Sequence, residues 1–368
     1  MADDVIANHP PEWRLLIAAT LALLLARLSP CARAFAADQC SPFGDPPARV
    51  NRGFFASSFA AHNPICFGGG VLGPWKDSDG SDRYACIYEP EHHSRDNPLP
   101  LIVFLHGSIA TADSVRMTGL TGAIGNADLG SKQGGFILLA PEGRYTAHYY
   151  PRADSNAMGW DNWYRQLSPA GDVTIGSATY KENVDAAAID HFIQDEVATG
   201  EVDPTRIFLT GWSNGAAMAL LYALNRQSIA AAAVYSAPDP FGAFNDPCPQ
   251  TPVARAPTAN AQVQIFHPRI ALMHVRNSCD IGGICPNGNT FALQMHSIGV
   301  SLDDVILDPD GKRVTACDDT CGTSPMAAGE VGANGAWRGL VHHLRWPSAW
   351  NSQMFDFMKL HLLPLSPK

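Results

Sequence analysis

Short runs of consecutive apolar residues recur along this chain, separated by stretches long enough to hold a helix. Such runs predict strands that are buried on both faces, as in a parallel sheet. They occupy residues 101–105, 135–140, 207–209, 230–235 and 269–275. Alternating positions predict a further strand at residues 83–88, and Asp310-Gly311 predicts a hairpin within residues 304–315. A last strand is predicted at residues 337–343.

Apolar residues at helical spacing lie between several of these strands. They predict helices at residues 182–197, 216–224 and 351–363, and a less regular helix at residues 112–124. Strands that alternate with helices predict an α/β fold with a mainly parallel, doubly wound sheet between two helical layers, three layers in all.

The turn between the strand at residues 207–209 and the helix that follows it carries the sequence Gly211-Trp212-Ser213-Asn214-Gly215. Strand, sharp turn and helix around G-x-S-x-G is the context of a nucleophile elbow in an α/β-hydrolase fold. Glycine at both flanks avoids a collision between a Cβ and the neighbouring backbone. The pattern predicts Ser213 as a nucleophile and the amide of Asn214 as an oxyanion donor. An ordinary strand-to-helix turn is the alternative.

A serine nucleophile needs a histidine base, and the base needs a carboxylate that holds its tautomer. In this fold the order along the chain is serine, acid, histidine. Asp280 follows the second strand after the nucleophile strand and is the predicted acid. The rival carboxylates are Asp239, Asp303 and Asp304.

The predicted base follows the last strand, where two histidines are adjacent. We predict His343 rather than His342, because His343 is nearer to the following loop and neighbouring residues of a strand point in opposite directions.

A second oxyanion donor is expected where residues 101–105 end in His106-Gly107-Ser108. We predict the amide of Ser108, with that of Gly107 as the alternative, and His106 as a support for this loop. An ordinary tight turn would have the same composition.

Aromatic residues are concentrated in the loop at residues 145–163 and beside the predicted catalytic residues. Flat aromatic rings stack on phenolic rings, sugars and polyester repeats. The predicted substrate contacts are Trp160, Trp163, Trp212 and Trp346. The alternative is that these rings cover the sheet.

In these motifs the chain resembles the secreted esterases of the polyhydroxybutyrate depolymerase and feruloyl esterase group. The resemblance lies in Leu-His-Gly-Ser at 105–108, Gly-Trp-Asp-Asn-Trp at 159–163, Gly-Trp-Ser-Asn-Gly-Ala-Ala-Met at 211–218, and a histidine shortly before Trp346-Pro347. It extends over residues 80–363. It implies an α/β-hydrolase that cleaves esters in polyesters or in the decorations of plant cell walls.

The 368 residues are 46% hydrophobic and 16% charged, which is typical of a globular protein. The net charge of −10 argues against nucleic acid or an anionic membrane as a partner. Arg14, an apolar run and Ala34-Phe35-Ala36 predict a signal peptide at residues 1–36, followed by one catalytic domain at residues 37–368. An uncleaved membrane anchor is the alternative. The predicted location is secreted or periplasmic.

Nine cysteines support export, because cleavage after residue 36 removes Cys31 and leaves an even number. Up to four disulfides are therefore expected. Cys279 with Cys285, and Cys317 with Cys321, are close enough in sequence to pair locally. A cysteine metal site is not predicted, because no two CxxC pairs occur.

Together these features predict a serine ester hydrolase that acts through an acyl-enzyme and needs no metal or organic cofactor. Polyester, of the polyhydroxyalkanoate type, is the predicted substrate, and a feruloyl or acetyl ester on plant polysaccharide is the alternative. A protein of a different class, a non-catalytic carbohydrate-binding relative of hydrolases, is a further alternative.

Overall fold

The strands of the computed structural model form a mainly parallel sheet. The structure describes residues 64–77, 80, 82–108, 110–143, 160, 173–175, 178–180, 184–240, 267–281, 284–318, 320–321 and 333–364. All of these residues lie within the unit Ser41–Lys368. The predicted signal peptide and most of the aromatic loop lie outside the described residues. Among the residues described, no helix is both long and apolar enough to cross a membrane.

Nine strands of the described residues form one sheet in the order β1-β2-β4-β3-β7-β8-β9-β10-β11, and β5 and β6 form a separate two-stranded ribbon. The strands are β1 (Gly70–Lys76), β2 (Asp82–Tyr88), β3 (Leu99–Leu105), β4 (Ile137–Pro141), β5 (Val173–Ile175), β6 (Ala178–Tyr180), β7 (Val202–Gly211), β8 (Ala231–Tyr235), β9 (Ala271–Asn277), β10 (Ser301–Leu307) and β11 (Arg313–Val314). The pairs β3–β4, β3–β7, β7–β8, β8–β9 and β9–β10 are parallel. The remaining pairs, at the two ends of the sheet, are antiparallel. This strand order confirms the predicted α/β-hydrolase architecture.

Helices cover both faces of the sheet. The α-helices are α1 (Val184–Ala198), α2 (Asn214–Asn225), α3 (Ile284–Ser297), α4 (Ala333–His343) and α5 (Asn351–Leu360). Successive strand residues alternate between two apolar clusters, as the two-residue period of a strand requires. Leu101 and Val103 pack with residues of α1, α2 and α3, whereas Ile102 and Phe104 pack with residues of α5. The molecule therefore has the three layers that the sequence predicts.

The prediction of a last strand at residues 337–343 is wrong, because this segment lies in helix α4. Its burial follows a helical period: Gly339 and His343 are buried, while Arg338, Val341 and Leu344 are exposed. A short apolar run such as Leu340-Val341 does not by itself distinguish a strand from a helix.

Several other elements differ from the sequence prediction, among them strands β5 and β6, which were not predicted. Residues 112–124 form two 3-10 helices, Ala112–Thr118 and Leu120–Gly122, in place of one α-helix, and Gly119 between them has a φ of 77°. Strand β1 and helix α3 were not predicted. Both carry glycine or proline, Gly73 and Pro74 in β1 and Pro286 and Gly288 in α3, which hides the periodicity.

Candidate active site

Ser213 stands on a strained turn between β7 and α2. Its φ of 56° and ψ of −120° are rare for a residue with a side chain. The flanking glycines are required sterically: a Cβ on Gly211 would lie 2.6 Å from the carbonyl oxygen of Gly215, and one on Gly215 would lie 2.2 Å from that of Leu105. The turn leaves Ser213 partly exposed at the carboxyl edge of the sheet, as the elbow motif predicts.

Ser213, His343 and Asp280 lie in a continuous series of hydrogen bonds. Nε2 of His343 is 2.8 Å from Oγ of Ser213, and Nδ1 of His343 is 2.8 Å from Oδ1 of Asp280. The carboxylate accepts the Nδ1–H, so the tautomer leaves Nε2 as an acceptor for the serine hydroxyl. The structure therefore brings the three predicted residues together.

Helix α4 positions the imidazole of His343 at its carboxyl end. The indole N–H of Trp212 donates to the main-chain oxygen of His343 at 2.8 Å, and the hydroxyl of Tyr235 donates to that of His342 at 2.9 Å. Gly339 lets the helix approach closely, because a Cβ there would be 3.0 Å from the carbonyl oxygen of Asp280. Two strand ends thus hold the last turn of α4.

His342, the alternative base, is partly exposed, and no hydrogen bond joins its ring to Ser213 within the described part of the chain.

Asp280 follows β9, and its carboxylate is almost fully buried. Oδ1 also accepts the amide of Ile281 at 2.8 Å, and Oδ2 accepts a hydrogen bond from the hydroxyl of Ser236. Ser236 directly follows β8 and is fully buried. Its φ of 56° equals that of Ser213. We did not predict Ser236 from the sequence, although its place at the carboxyl end of a buried strand was a usable signal.

Two rival acids lie elsewhere in ion pairs. Asp303 pairs with Arg313 at 3.0 Å, and Asp304 pairs with Arg276. Both belong to β10, one strand beyond the strand that precedes Asp280.

Two disulfides hold the segment that carries Asp280, and their pairing corrects the prediction. Cys279 is bonded to Cys321, and Cys285 is bonded to Cys317. The predicted local pairs, Cys279 with Cys285 and Cys317 with Cys321, are therefore wrong. Cys285 lies in the first turn of α3, and both bonds join the segment around Asp280 to the segment after β11. A third disulfide joins Cys66 to Cys86. Cys40 and Cys248 lie outside the described residues.

The predicted oxyanion loop contacts the nucleophile elbow. A Cβ on Gly107 would lie 3.4 Å from the carbonyl oxygen of Trp212 and 3.5 Å from Cβ of Ser213. Trp160 links the oxyanion loop to the start of α2. Its indole N–H donates to the main-chain oxygen of His106 at 2.8 Å, and its main-chain N–H donates to Oδ1 of Asn214 at 2.8 Å. The loop after β3 and the start of α2 are therefore held beside Ser213.

His106 supports this loop as a neutral imidazole. The amide of Gly143 donates to its Nε2 at 2.9 Å, so Nδ1 carries the proton and donates to the carbonyl oxygen of Gly107 at 2.9 Å. Complete burial lowers the pKa of His106 to about 4. Protonation of Nε2 would remove the acceptor for Gly143 and place a charge in the core.

Comparisons with solved structures return several esterases. No protein-family model matches the chain, and no curated protein matches it. The chain is similar to a solved ferulic acid esterase, with a TM-score of 0.47 and 13% identity, covering 79% of this chain and 98% of that one. It is also similar to a propionate-bound esterase from the planctomycete Thermogutta terrifontis, with a TM-score of 0.47 and 14% identity, covering 83% of this chain and 98% of that one. A thermostable esterase gives 0.43 and 13%, covering 81% of this chain and 64% of that one, so this chain spans less than two thirds of its length.

The structure buries the described tryptophans that we predicted as substrate contacts. Trp160, Trp212 and Trp346 are 4%, 6% and 5% exposed. Their indole N–H groups are used within the protein, that of Trp346 by Oδ1 of Asn351 at 2.8 Å. Trp346 also packs edge-to-face on Trp212 and Tyr235. Since a ring needs an open face to stack on a substrate, these three rings position the site instead. Trp163 lies outside the described residues.

Two buried histidines predict how stability depends on pH. Burial lowers the pKa of His106 to about 4, and burial with the nearby Arg276 lowers that of His274 to about 3. Both values lie below that of an unfolded histidine, about 6.5. The unfolded chain therefore takes up protons first, and stability falls as the pH drops below about 6.5. At pH 5 we expect the free energy of unfolding to be lower than at neutral pH by about 2 kcal/mol for each histidine.

Urea unfolding at pH 7.5 and pH 5.0 measures this loss. His274→Phe removes one of the two histidines. The difference in the free energy of unfolding between pH 7.5 and pH 5.0 should therefore be about 2 kcal/mol smaller in this variant than in the wild type. A variant with the same pH dependence as the wild type would contradict the assignment for His274.

Proposed function

We propose that this protein is a carboxylic ester hydrolase of the serine type. Ser213 is the nucleophile, His343 the general base and Asp280 the residue that orients the base. The observation that supports this most directly is the pair of 2.8 Å contacts that link Ser213 to His343 and His343 to Asp280. Each group has the partner that its chemistry needs, and the serine is open to solvent on one side.

The reaction follows from this geometry. Oγ of Ser213 attacks the ester carbonyl carbon, and Nε2 of His343 takes the hydroxyl proton. The imidazolium then donates that proton to the leaving alcohol as the carbon–oxygen bond breaks, which leaves an acyl-serine. A water molecule, deprotonated by the same nitrogen, attacks the acyl group and releases the acid and the free serine.

The negative charge on the tetrahedral intermediate needs fixed donors. We assign this role to the main-chain N–H groups of Asn214, at the start of α2, and of Ser108, with that of Gly107 as the alternative. The positive end of the dipole of α2, a twelve-residue helix, lies at the same place. No metal ion or organic cofactor takes part in these steps.

Within this class we propose an aliphatic polyester of the polyhydroxyalkanoate type as the substrate. The motif at residues 211–218 and its resemblance to the depolymerase and feruloyl esterase group support this choice. Feruloyl or acetyl esters of plant polysaccharide are the competing substrates.

The structure gives little support to a non-catalytic carbohydrate-binding role. Such a role needs aromatic faces open to solvent, whereas the three described tryptophans near the site are buried and hydrogen-bonded. It would also leave the buried Asp280 without a reason to lie beside His343.

We also propose that the protein is exported. Three disulfides among the described residues support this location, because such bonds persist in oxidising compartments.

Covalent labelling tests the nucleophile. A fluorophosphonate probe is expected to add one equivalent to the wild-type chain, at Ser213 by peptide mass spectrometry, and none to Ser213→Ala. Modification of the wild type at another serine, or equal modification of the Ser213→Ala variant, would exclude the proposed mechanism. Release of acid from polyhydroxybutyrate film, methyl ferulate and acetylxylan then separates the substrate classes. Preference for either of the last two would overturn the polyester assignment alone.

A further inference from the structure

A second group of polar side chains lies at the opposite end of the sheet from Ser213. Glu89 follows β2, His93 lies in the connection to β3, and Glu201 immediately precedes β7. The main-chain oxygen of Glu201 accepts the amide of Leu99, the first residue of β3, at 2.8 Å. Since β3 has seven residues, this group lies about 20 Å from the active site.

The three side chains converge on a small volume. Nε2 of His93 is 3.4 Å from Oε1 of Glu89 and 3.2 Å from Oε2 of Glu201. All three ligand atoms lie within 4.8 Å of one another. Nδ1 of His93 is 2.8 Å from the carbonyl oxygen of Pro90, which fixes Nδ1 as the donor and leaves Nε2 to face the carboxylates. Histidines that bind metals commonly have this arrangement.

A fourth carboxylate, that of Glu196, lies near the group. Glu196, near the end of α1, is 6% exposed, and no described residue forms a hydrogen bond or ion pair with its carboxylate. The charges of Glu89, Glu201 and His93 all act on this carboxylate, which places it near the group. Carboxylates that lie close together repel one another, and a bound cation relieves that repulsion.

We propose that this group binds a divalent transition-metal ion, Zn²⁺ in particular, through Nε2 of His93 and the carboxylates of Glu89 and Glu201. Imidazole nitrogen favours zinc over calcium or magnesium, which take oxygen ligands. In tetrahedral coordination at zinc's usual bond lengths, ligand atoms are about 3.3 Å apart. The separations of 3.4 and 3.2 Å match that value.

The ion would join the connection between β2 and β3 to the start of β7. These segments are far apart in sequence, so the ion adds stability, and it takes no part in ester hydrolysis because it lies at the other end of the sheet from Ser213. The side chains of His93 and Glu201 are 24% and 29% exposed, which leaves a path for the ion.

Metal analysis of the whole chain tests the site without an ester substrate. Protein stripped with EDTA and dialysed against Zn²⁺ should retain one ion per chain by mass spectrometry and gain about 5 °C in Tm. Co²⁺ in place of Zn²⁺ should give the intense visible absorption of a four-coordinate ion. Ca²⁺ and Mg²⁺ should give no comparable stabilisation.

Variants locate the ion. His93→Ala and Glu201→Gln should each weaken Zn²⁺ binding at least 30-fold by calorimetry. His92→Ala is the matched control, because His92 is exposed and adjacent but outside the group, and it should bind like the wild type. Glu201→Gln keeps the side-chain shape, so it tests the site even if His93→Ala does not fold. The proposal is overturned if folded Glu201→Gln binds as tightly as the control. It is also overturned if the wild type retains no ion, which would mean that His93 only pairs with the two carboxylates.

Discussion

Replacing His343 with alanine is expected to lower kcat/KM for p-nitrophenyl butyrate by about 10⁴-fold or more. The imidazole is the only group among the described residues that contacts both Oγ of Ser213 and the carboxylate of Asp280. Without it the serine hydroxyl has no base, and the leaving alcohol has no proton donor. The remaining activity would come from binding and the oxyanion donors.

The neighbouring histidine provides a matched control. His342→Ala should keep kcat/KM within about threefold of the wild type, because only the main-chain oxygen of His342 takes part in the hydrogen bond from Tyr235. Circular dichroism establishes that both variants are folded. If the two variants lost activity equally, or if His342→Ala lost more, the assignment of His343 as the base would be wrong.

The second large effect is on stability and concerns Gly215. A Cβ added there would lie 2.2 Å from the carbonyl oxygens of both Leu105 and His106, far inside van der Waals contact. Those oxygens belong to the last residue of β3 and to the residue that follows it, so the clash is relieved only if α2 moves away from the sheet. We expect Gly215→Ala to lose about 4 kcal/mol or more of stability, or to accumulate as insoluble protein.

Gly125→Ala is the control for this substitution. Nothing lies within 4 Å of a Cβ at Gly125, so its stability should stay within about 1 kcal/mol of the wild type. Urea unfolding of both variants measures the difference. A Gly215→Ala variant as stable as the control would mean that α2 and β3 do not approach as closely as the structure indicates.

The parts of the fold that the sequence predicted are those coded by local pattern. The central strands, helices α1, α2 and α5, and the hairpin at Gly311 each carry an apolar run, a helical stripe or a turn residue, and each lies close to its predicted place. Helix α4 was predicted as a strand because its short apolar run fits both periods. Its true state depends on the packing of Gly339 and His343 against Asp280.

The candidate site divides in the same way. The serine, the acid and the base were chosen by chain order and by their position after strands, and the structure brings all three together. The groups that hold them were not foreseen. Ser236 donates to Asp280, and Trp212 holds the end of α4 by a hydrogen bond across 131 positions of the chain. Trp160 was predicted to contact substrate, and instead joins the oxyanion loop to α2.

The sequence by itself therefore determined the central strands of the sheet, the elbow, and the three side chains that meet at the candidate site. Short-range sterics and periodicity specify the strands and the elbow, and chain order gave the other two side chains. Only the tertiary structure decided the disulfide pairing, the burial of the tryptophans and the convergence of His93 with Glu89 and Glu201. The physical reason is that hydrogen bonds, disulfides and ion contacts between distant segments depend on where the packed layers bring side chains. No local period in the chain records those distances.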